Sequence, residues 1–257
     1  EDALNRLEGT PFEAQARLAL LAIYERSRDW SHAASIAQKM HAADQGDFST
    51  RQAHYLCEQA LALSVQGDRA GAKALLEQAI AAAPDAARAR IELARLQQLM
   101  GQPDAVLATL QALGERAPAA LPLAAPLLVE AGNATGRQAE VLARLVAHYE
   151  QSPSLDVLES IVAMEAANDA TQATARARYV QHLDKERSLV AAAKWLSAEK
   201  LEHEEFHPQI QRALEHAVKP LTRYRCAACG FEARQHFWQC PGCQTWDSYP
   251  ARRVEEL

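Results

Sequence analysis

The stretch 60–84, ALALSVQGDRAGAKALLEQAIAAAP, decides the fold, because its pattern of small and large residues returns 34 residues later. The corresponding pairs are Gly67 and Gly101, Ala72 and Val106, Leu76 and Leu110, Ala79 and Leu113, and Pro84 and Pro118. Such a period predicts stacked pairs of helices. Small residues such as Ala60 and Ala94 let the two helices of a pair approach closely. Leu76 and Leu110 fill the space between neighbouring pairs, and the proline follows the end of each second helix.

This 34-residue pattern resembles the tetratricopeptide repeat (TPR). The resemblance implies a superhelical solenoid whose first helices line a concave face for protein segments. Upstream, residues 20–40 keep the pattern less regularly. Downstream, Gly136 and Pro153 repeat it with a slip of one residue. Pro122 and Pro126 fall within the first helix of that repeat, so we expect this helix to be short or kinked.

Composition supports an all-α fold. Alanine, the best helix former, accounts for 54 of the 257 residues, and aromatic residues for only 6%. An apolar fraction of 49% excludes a disordered chain, and the net charge of −6 argues against a nucleic-acid partner. Two further helical pairs, near 154–185 and 187–219, lack the glycine and proline signature. We therefore expect about six TPR or TPR-like helix pairs in residues 1–218 and a separate module in residues 219–257.

Four of the five cysteines define that module. Cys226, Cys229, Cys240 and Cys243 have the spacing C-x2-C-x10-C-x2-C, which predicts two turns that together offer four sulfurs to one metal ion. A site of four thiolates has no open coordination position, so we expect a structural role. The alternative is two disulfides, but the isolated Cys57 indicates a reducing compartment. We expect Cys57 to be a small core residue.

The two Cys-x-x-Cys turns resemble those of rubredoxin, and this resemblance implies iron. The spacing itself fits zinc equally well. The connection between the turns is shorter than in rubredoxin, and Gln244 stands where a glycine is usual. Arg223 and Arg225, beside several aromatic residues, leave open a nucleic-acid-binding zinc ribbon, against which the acidic repeats argue.

Other candidate residues are weaker. The register of the repeats places a set of polar side chains on the concave face, but a side chain there is more often solvated than in contact with a partner. The set is Gln15, Glu25, Arg26, His54, Arg88, Arg95 and Gln98. The stretch His203 to His207 matches the zinc-peptidase pattern H-E-x-x-H. Because Pro208 follows directly, we expect a helix to end inside the motif, and we predict no catalysis there.

The C-terminal residues carry a second resemblance. The run Tyr224-Arg225-Cys226-x-x-Cys229-Gly230-Phe231, followed by Trp238-x-Cys240-Pro241-x-Cys243-x-x-Trp246, is similar to the end of the lipopolysaccharide assembly protein B family. The resemblance implies a non-enzymatic regulator of lipopolysaccharide synthesis. Its members promote degradation of the deacetylase LpxC by the membrane protease FtsH and gather other synthesis proteins. Only the four cysteines carry over as functional positions.

The same resemblance implies a location. The chain begins with Glu1 rather than Met, so we expect further residues upstream. By the resemblance these include one transmembrane helix, which would anchor the protein in the bacterial inner membrane with this domain facing the cytoplasm. Two other functions stay open: a TPR adaptor for a different client, and a redox-active, rubredoxin-like protein.

The aromatic residues of the module predict how it meets the repeats. Six of the fifteen aromatic residues lie in residues 219–257, too many for the two cysteine turns to bury alone. We expect Phe237, Trp238 and Trp246 to cover apolar surface on the helices between Ser188 and Val218. The module would then cap the solenoid.

Overall fold

The structure is a computed structural model that describes residues 2, 6–168, 171–197 and 206–257. It is predominantly helical, with helical hairpins and a small C-terminal module that contains little sheet. The all-α fold predicted from the sequence is thereby confirmed. The chain forms two compact units, Glu1–Ala117 and Pro118–Leu257. The predicted division between residues 218 and 219 stays a prediction.

The described residues of the first unit form three helical hairpins. Its helices are α1 Glu13–Ser27, α2 Trp30–Ala42, α3 Ser49–Val65, α4 Arg69–Ala82, α5 Ala87–Leu99 and α6 Pro103–Arg116. Asp29 and Asp68 begin α2 and α4 by accepting a hydrogen bond from a backbone N–H of the first turn. Gly67 (φ +90°) and Gly101 (φ +69°) occupy left-handed conformations in the turns of the second and third hairpins, which explains the spacing of these glycines.

The residues chosen from the repeat pattern form the core of this unit. Ala60 and Ala94 are buried in the first helices of their pairs, and Leu76 and Leu110 are buried in the second helices. The sequence pattern therefore predicted the packing positions correctly.

The second unit begins irregularly. A 3-10 helix, Pro118–Ala124, precedes α7, Ala125–Thr135, so the first helix of this pair is short, as its prolines predict. Among the described residues, the remaining α-helices are α8 Gln138–Gln151, α9 Leu155–Ala166, α10 Gln172–Ala175, α11 Ala177–Leu183, α12 Leu189–Leu196 and α13 His207–Val218, and a 3-10 helix, Val254–Glu256, lies at the end of the chain. The second helix of the 154–185 pair is thus divided into two short pieces.

The implied anchored location at the inner membrane is wrong for the part of the chain that the structure describes, because none of its helices is long and apolar enough to cross a membrane. The helix Ser49–Val65 has 17 residues and contains charged side chains such as Arg51 and Glu58. A membrane-spanning helix needs about 20 predominantly apolar residues.

Candidate metal centre

Two similar turns hold the four cysteines. The strands β1 (Tyr224–Arg225) and β2 (Glu232–Ala233) pair antiparallel and flank the first turn. Within it, the N–H of Cys226 donates to the carbonyl of Phe231, and the N–H of Gly230 donates back to the carbonyl of Cys226. The second turn repeats this arrangement. The N–H of Cys240 donates to the carbonyl of Thr245, and the N–H of Gln244 donates back to the carbonyl of Cys240.

Gln244, which stands where the rubredoxin pattern has a glycine, keeps the backbone conformation that the glycine would adopt. The residue after the second cysteine of each turn adopts a left-handed conformation, with φ +77° for Gly230 and +61° for Gln244. A glycine is favoured at such a position because it has no Cβ. The second turn thus keeps the same backbone shape as the first, with a residue that strains it.

The four cysteine sulfurs form one cluster. Their Sγ atoms all lie within 4.8 Å of one another. Cys226 is 3.8 Å from Cys243, and Cys229 is 3.7 Å from Cys240. Four sulfurs arranged tetrahedrally around a metal at the usual Zn–S bond length are separated by about 3.8 Å, whereas a disulfide measures about 2.05 Å. The spacing fits a four-thiolate metal site, and none of the five cysteines, all of which the structure describes, forms a disulfide.

Burial and hydrogen bonds give the thiols unequal pKa values. Burial raises the pKa of Cys226, but hydrogen bonds from Ser248 and from backbone amides outweigh it and lower the pKa to about 6. Hydrogen bonds from Thr245 lower the pKa of Cys243. A backbone hydrogen bond lowers the pKa of Cys229, but burial and the neighbouring sulfurs raise it to about 12. Because adjacent thiolates repel one another, a bound cation would favour ionisation of all four.

Behind the sulfurs lies a small core. Tyr224, Cys226, Cys240 and Tyr249 are buried together, and Leu123 of the 3-10 helix packs against them. Phe237 also packs there, with its ring centroid 6.0 Å from that of Tyr249. The described contacts of Phe237 thus include residues of its own module. Its expected contact with the helices between Ser188 and Val218 stays a prediction. That Trp238 and Trp246 cover those helices stays a prediction.

Charged residues at the very end of the chain join the module to two helix N-termini. The Glu256 carboxylate accepts a hydrogen bond from the N–H of Leu155, the first residue of α9, at 2.8 Å. The Glu255 carboxylate accepts hydrogen bonds from Ser188 Oγ at 2.7 Å and from the N–H groups of Leu189 and Val190 at 2.6 and 3.1 Å. These carboxylates lie where a helix dipole favours negative charge.

An ion pair reinforces this docking. Arg253 donates two hydrogen bonds to the Asp156 carboxylate, at 2.6 and 3.1 Å, and one to the carbonyl of Thr222 at 2.6 Å. Its guanidinium lies 4.3 Å from the ring centroid of Tyr224, whose hydroxyl also donates to Asp156. These residues were not predicted from the sequence, because nearly all of the contacts join positions 65 to 101 residues apart in the chain. The contact of Arg253 with the Thr222 carbonyl, over 31 residues, is the exception among those described.

The residues predicted for the concave face have different environments. Gln15, Arg26 and Arg95 are exposed, and Gln98 and Glu25 are half-buried. His54 and Arg88, in contrast, are buried. Arg88 donates a hydrogen bond of 2.6 Å to Glu58, and its Nη1 lies 3.4 Å from His54 Nδ1. Arg88 therefore links α5 to α3 as part of the packing.

The zinc-peptidase pattern falls largely outside the described residues. His203, Glu204 and Glu205 are not among them. Whether a helix ends inside the motif, as expected from Pro208, lies outside the described residues. His207 itself, which that expectation placed outside a helix, begins α13, with the proline in the first turn. The reason is that proline is tolerated at the start of a helix, where its missing N–H would have no partner.

Comparisons with known proteins found matches for both the repeats and the cysteine module. A family described as a rubredoxin metal binding domain matches residues 224–249, and the tetratricopeptide repeat family matches residues 66–131. Lipopolysaccharide assembly protein B of Escherichia coli strain K12 is 25% identical over 264 residues, which cover all of this chain and 68% of the relative. The protein of the same name from Haemophilus influenzae is 24% identical over 92% of this chain and 61% of its own length. The resemblance predicted from the cysteine-containing run is thereby confirmed.

Proposed function

We propose that this protein is a non-enzymatic adaptor in lipopolysaccharide assembly, and that it promotes degradation of the deacetylase LpxC by the protease FtsH. The observation that carries the proposal is the extent of the match. Relatives named for lipopolysaccharide assembly align with the whole chain, including the repeats and the cysteine module together.

The repeats support a role in binding proteins. Helical hairpins of this kind present an extended surface to a protein segment. FtsH, LpxC and other lipopolysaccharide-synthesis proteins are the partners that the proposal names. The residues that contact each of them stay unassigned.

Cys226, Cys229, Cys240 and Cys243 would hold one zinc or iron ion. A module this small buries few apolar groups, so the ion when bound would supply much of its folding free energy. Four thiolates leave no coordination position for a substrate, which supports a structural rather than a catalytic ion.

Reconstitution from purified components tests the proposal. The lifetime of LpxC is measured in the presence of FtsH, with and without this protein, beside a second FtsH substrate as the control for specificity. We expect the protein to shorten the lifetime of LpxC only. Cys57→Ser should behave as the unmodified chain does, and Cys240→Ser should have lost the effect.

An unchanged LpxC lifetime with folded, metal-loaded protein would contradict the LpxC and FtsH step and would favour an adaptor for another client. A redox function makes a different prediction. It requires that the iron-loaded protein be reduced and reoxidised reversibly and that this change alter binding of its partner.

A further inference from the structure

Three of the four cysteine sulfurs have a hydroxyl group beside them. Ser248 Oγ lies 3.2 Å from Cys226 Sγ, and Thr245 Oγ1 lies 3.3 Å from Cys243 Sγ. The Tyr249 hydroxyl oxygen is 4.0 Å from Cys240 Sγ. All three hydroxyl residues come from the short segment directly after the second cysteine turn, so one stretch of backbone delivers them together.

The hydrogen atoms of two of these hydroxyls have another acceptor when the cysteines are protonated thiols. In that state Cys226 Sγ–H donates to Ser248 Oγ, which in turn donates to the Thr245 carbonyl at 3.1 Å. The Tyr249 hydroxyl donates to the Phe231 carbonyl, also at 3.1 Å. A thiolate bound to a metal has no proton to donate, so the Cys226–Ser248 hydrogen bond must then run in the opposite direction.

The backbone is arranged so that this reversal leaves no acceptor without a partner. The Thr245 carbonyl also receives the N–H of Cys240 at 2.9 Å, and the Phe231 carbonyl receives that of Cys226 at 2.9 Å. A hydroxyl that turns from either carbonyl to a sulfur therefore leaves behind a satisfied oxygen. This rotation of the hydroxyl therefore avoids the free-energy penalty of a buried, unpaired polar group.

We propose that Ser248 and Thr245 are positioning residues for the metal, whose hydroxyls donate hydrogen bonds to the thiolates of Cys226 and Cys243. This inference rests on the metal site proposed above. Four thiolates around a divalent ion carry a net charge of −2, and donors to sulfur offset that charge. With iron, the ferrous site is one unit more negative than the ferric site, so the same donors stabilise the reduced state more.

Burial predicts that the two hydroxyls contribute unequally. Ser248 and Cys226 are both buried, with 8% and 1% of their surface exposed, whereas Thr245 and Cys243 are exposed. A hydrogen bond to a charged group is stronger where water is excluded. Removal of the Ser248 hydroxyl should therefore have the larger effect.

The test uses the full chain with Ser248→Ala, Thr245→Val and the conservative Thr245→Ser. Thr222→Val is the matched control, because the Thr222 hydroxyl donates to the Lys219 carbonyl and not to a sulfur. The dissociation constant for Zn²⁺ is measured by competition with a chromogenic chelator, and the midpoint potential is measured on the iron-loaded protein. We expect Ser248→Ala to weaken zinc binding on the order of tenfold and to lower the iron potential. Thr245→Val should do both to a smaller extent, Thr245→Ser should restore both, and the control should change neither.

Two results would overturn the inference while leaving the metal site intact. One is zinc affinity within about twofold of the unmodified chain in both Ser248→Ala and Thr245→Val. The other is a loss of zinc affinity with an unchanged iron potential, which would show that the hydroxyls act on folding alone. Failure of the unmodified chain to bind either metal would refute the proposed site itself.

Discussion

Replacement of Arg253 by alanine should loosen the end of the chain from the repeats. The change removes two hydrogen bonds to Asp156, one to the Thr222 carbonyl, and the stacking of the guanidinium on the Tyr224 ring. Asp156 would keep one partner, the Tyr224 hydroxyl, at 3.0 Å. One substitution therefore leaves a largely buried carboxylate without its counter-charge.

The structure sets the size of the effect. The side chains of Arg253 and Asp156 are 23% and 13% exposed. Removal of one partner of a fully buried ion pair costs about 3–5 kcal/mol, whereas an exposed pair contributes at most about 1 kcal/mol. With this partial exposure and the remaining Tyr224 contact, we expect a loss of about 2–3 kcal/mol. Arg253→Lys should lose less, because lysine keeps the charge but not the forked pair of hydrogen bonds.

Hydrogen exchange measured by mass spectrometry is the appropriate assay, because it reports the free energy of local opening. For Arg253→Ala, protection in residues 221–225 and 253–257 should fall by about 30- to 150-fold, the factor that corresponds to 2–3 kcal/mol. Arg252→Ala is the control, since Arg252 donates its 3.2 Å hydrogen bond to Ser152 Oγ at an exposed site and not to Asp156. Equal protection in the two variants would refute the argument.

Three further substitutions test local features. Gly132→Ala should lower the melting temperature, because the new Cβ would lie 2.8 Å from Val141 Cγ2 and this overlap outweighs the helix propensity of alanine. An unchanged or higher melting temperature would contradict this close packing. Gln244→Gly should stabilise the cysteine module by up to about 1 kcal/mol by relieving the left-handed strain, which urea unfolding of the metal-loaded chain would detect as a higher midpoint. Burial raises the pKa of Glu256, so the folded chain binds its proton more tightly than the unfolded chain. The unfolding free energy of the unmodified chain should therefore rise relative to Glu256→Gln as the pH falls from 7 toward 4.5, and a constant difference would contradict the direction of the shift.

The repeats were predictable because their determinants are local. A turn that requires a left-handed residue selects glycine, as at Gly67 and Gly101, and a fixed repeat length shows which small and large residues face the core. The cysteine site was predictable for the same reason, since each pair lies within one turn.

The docking of the module was not predictable from the same signals. Apolar burial by the aromatic residues stays a prediction. The described contacts instead include Glu255 and Glu256, which dock on helix N-termini about 65 and 100 positions away. A signal was present in Ser154 and Ser188, which predict helix starts, together with the acidic pair near the C-terminus. Nothing in the chain order indicates which acidic residue meets which helix.

Likewise, the repeat register placed His54 and Arg88 on the concave face but gave no measure of their burial. That depends on Glu58, which pairs with Arg88 at a separation of 30 residues. A face assigned by periodicity therefore contains both exposed side chains and side chains that join neighbouring helices.

The central claim is that four cysteines hold one metal ion, and the most direct test is elemental analysis of freshly purified protein with a parallel count of free thiols. We predict about one equivalent of zinc or iron per chain in the unmodified protein and in Cys57→Ser, and a clear loss of bound metal in Cys240→Ser. Neither metal near one equivalent, together with two disulfides among Cys226, Cys229, Cys240 and Cys243, would contradict the account.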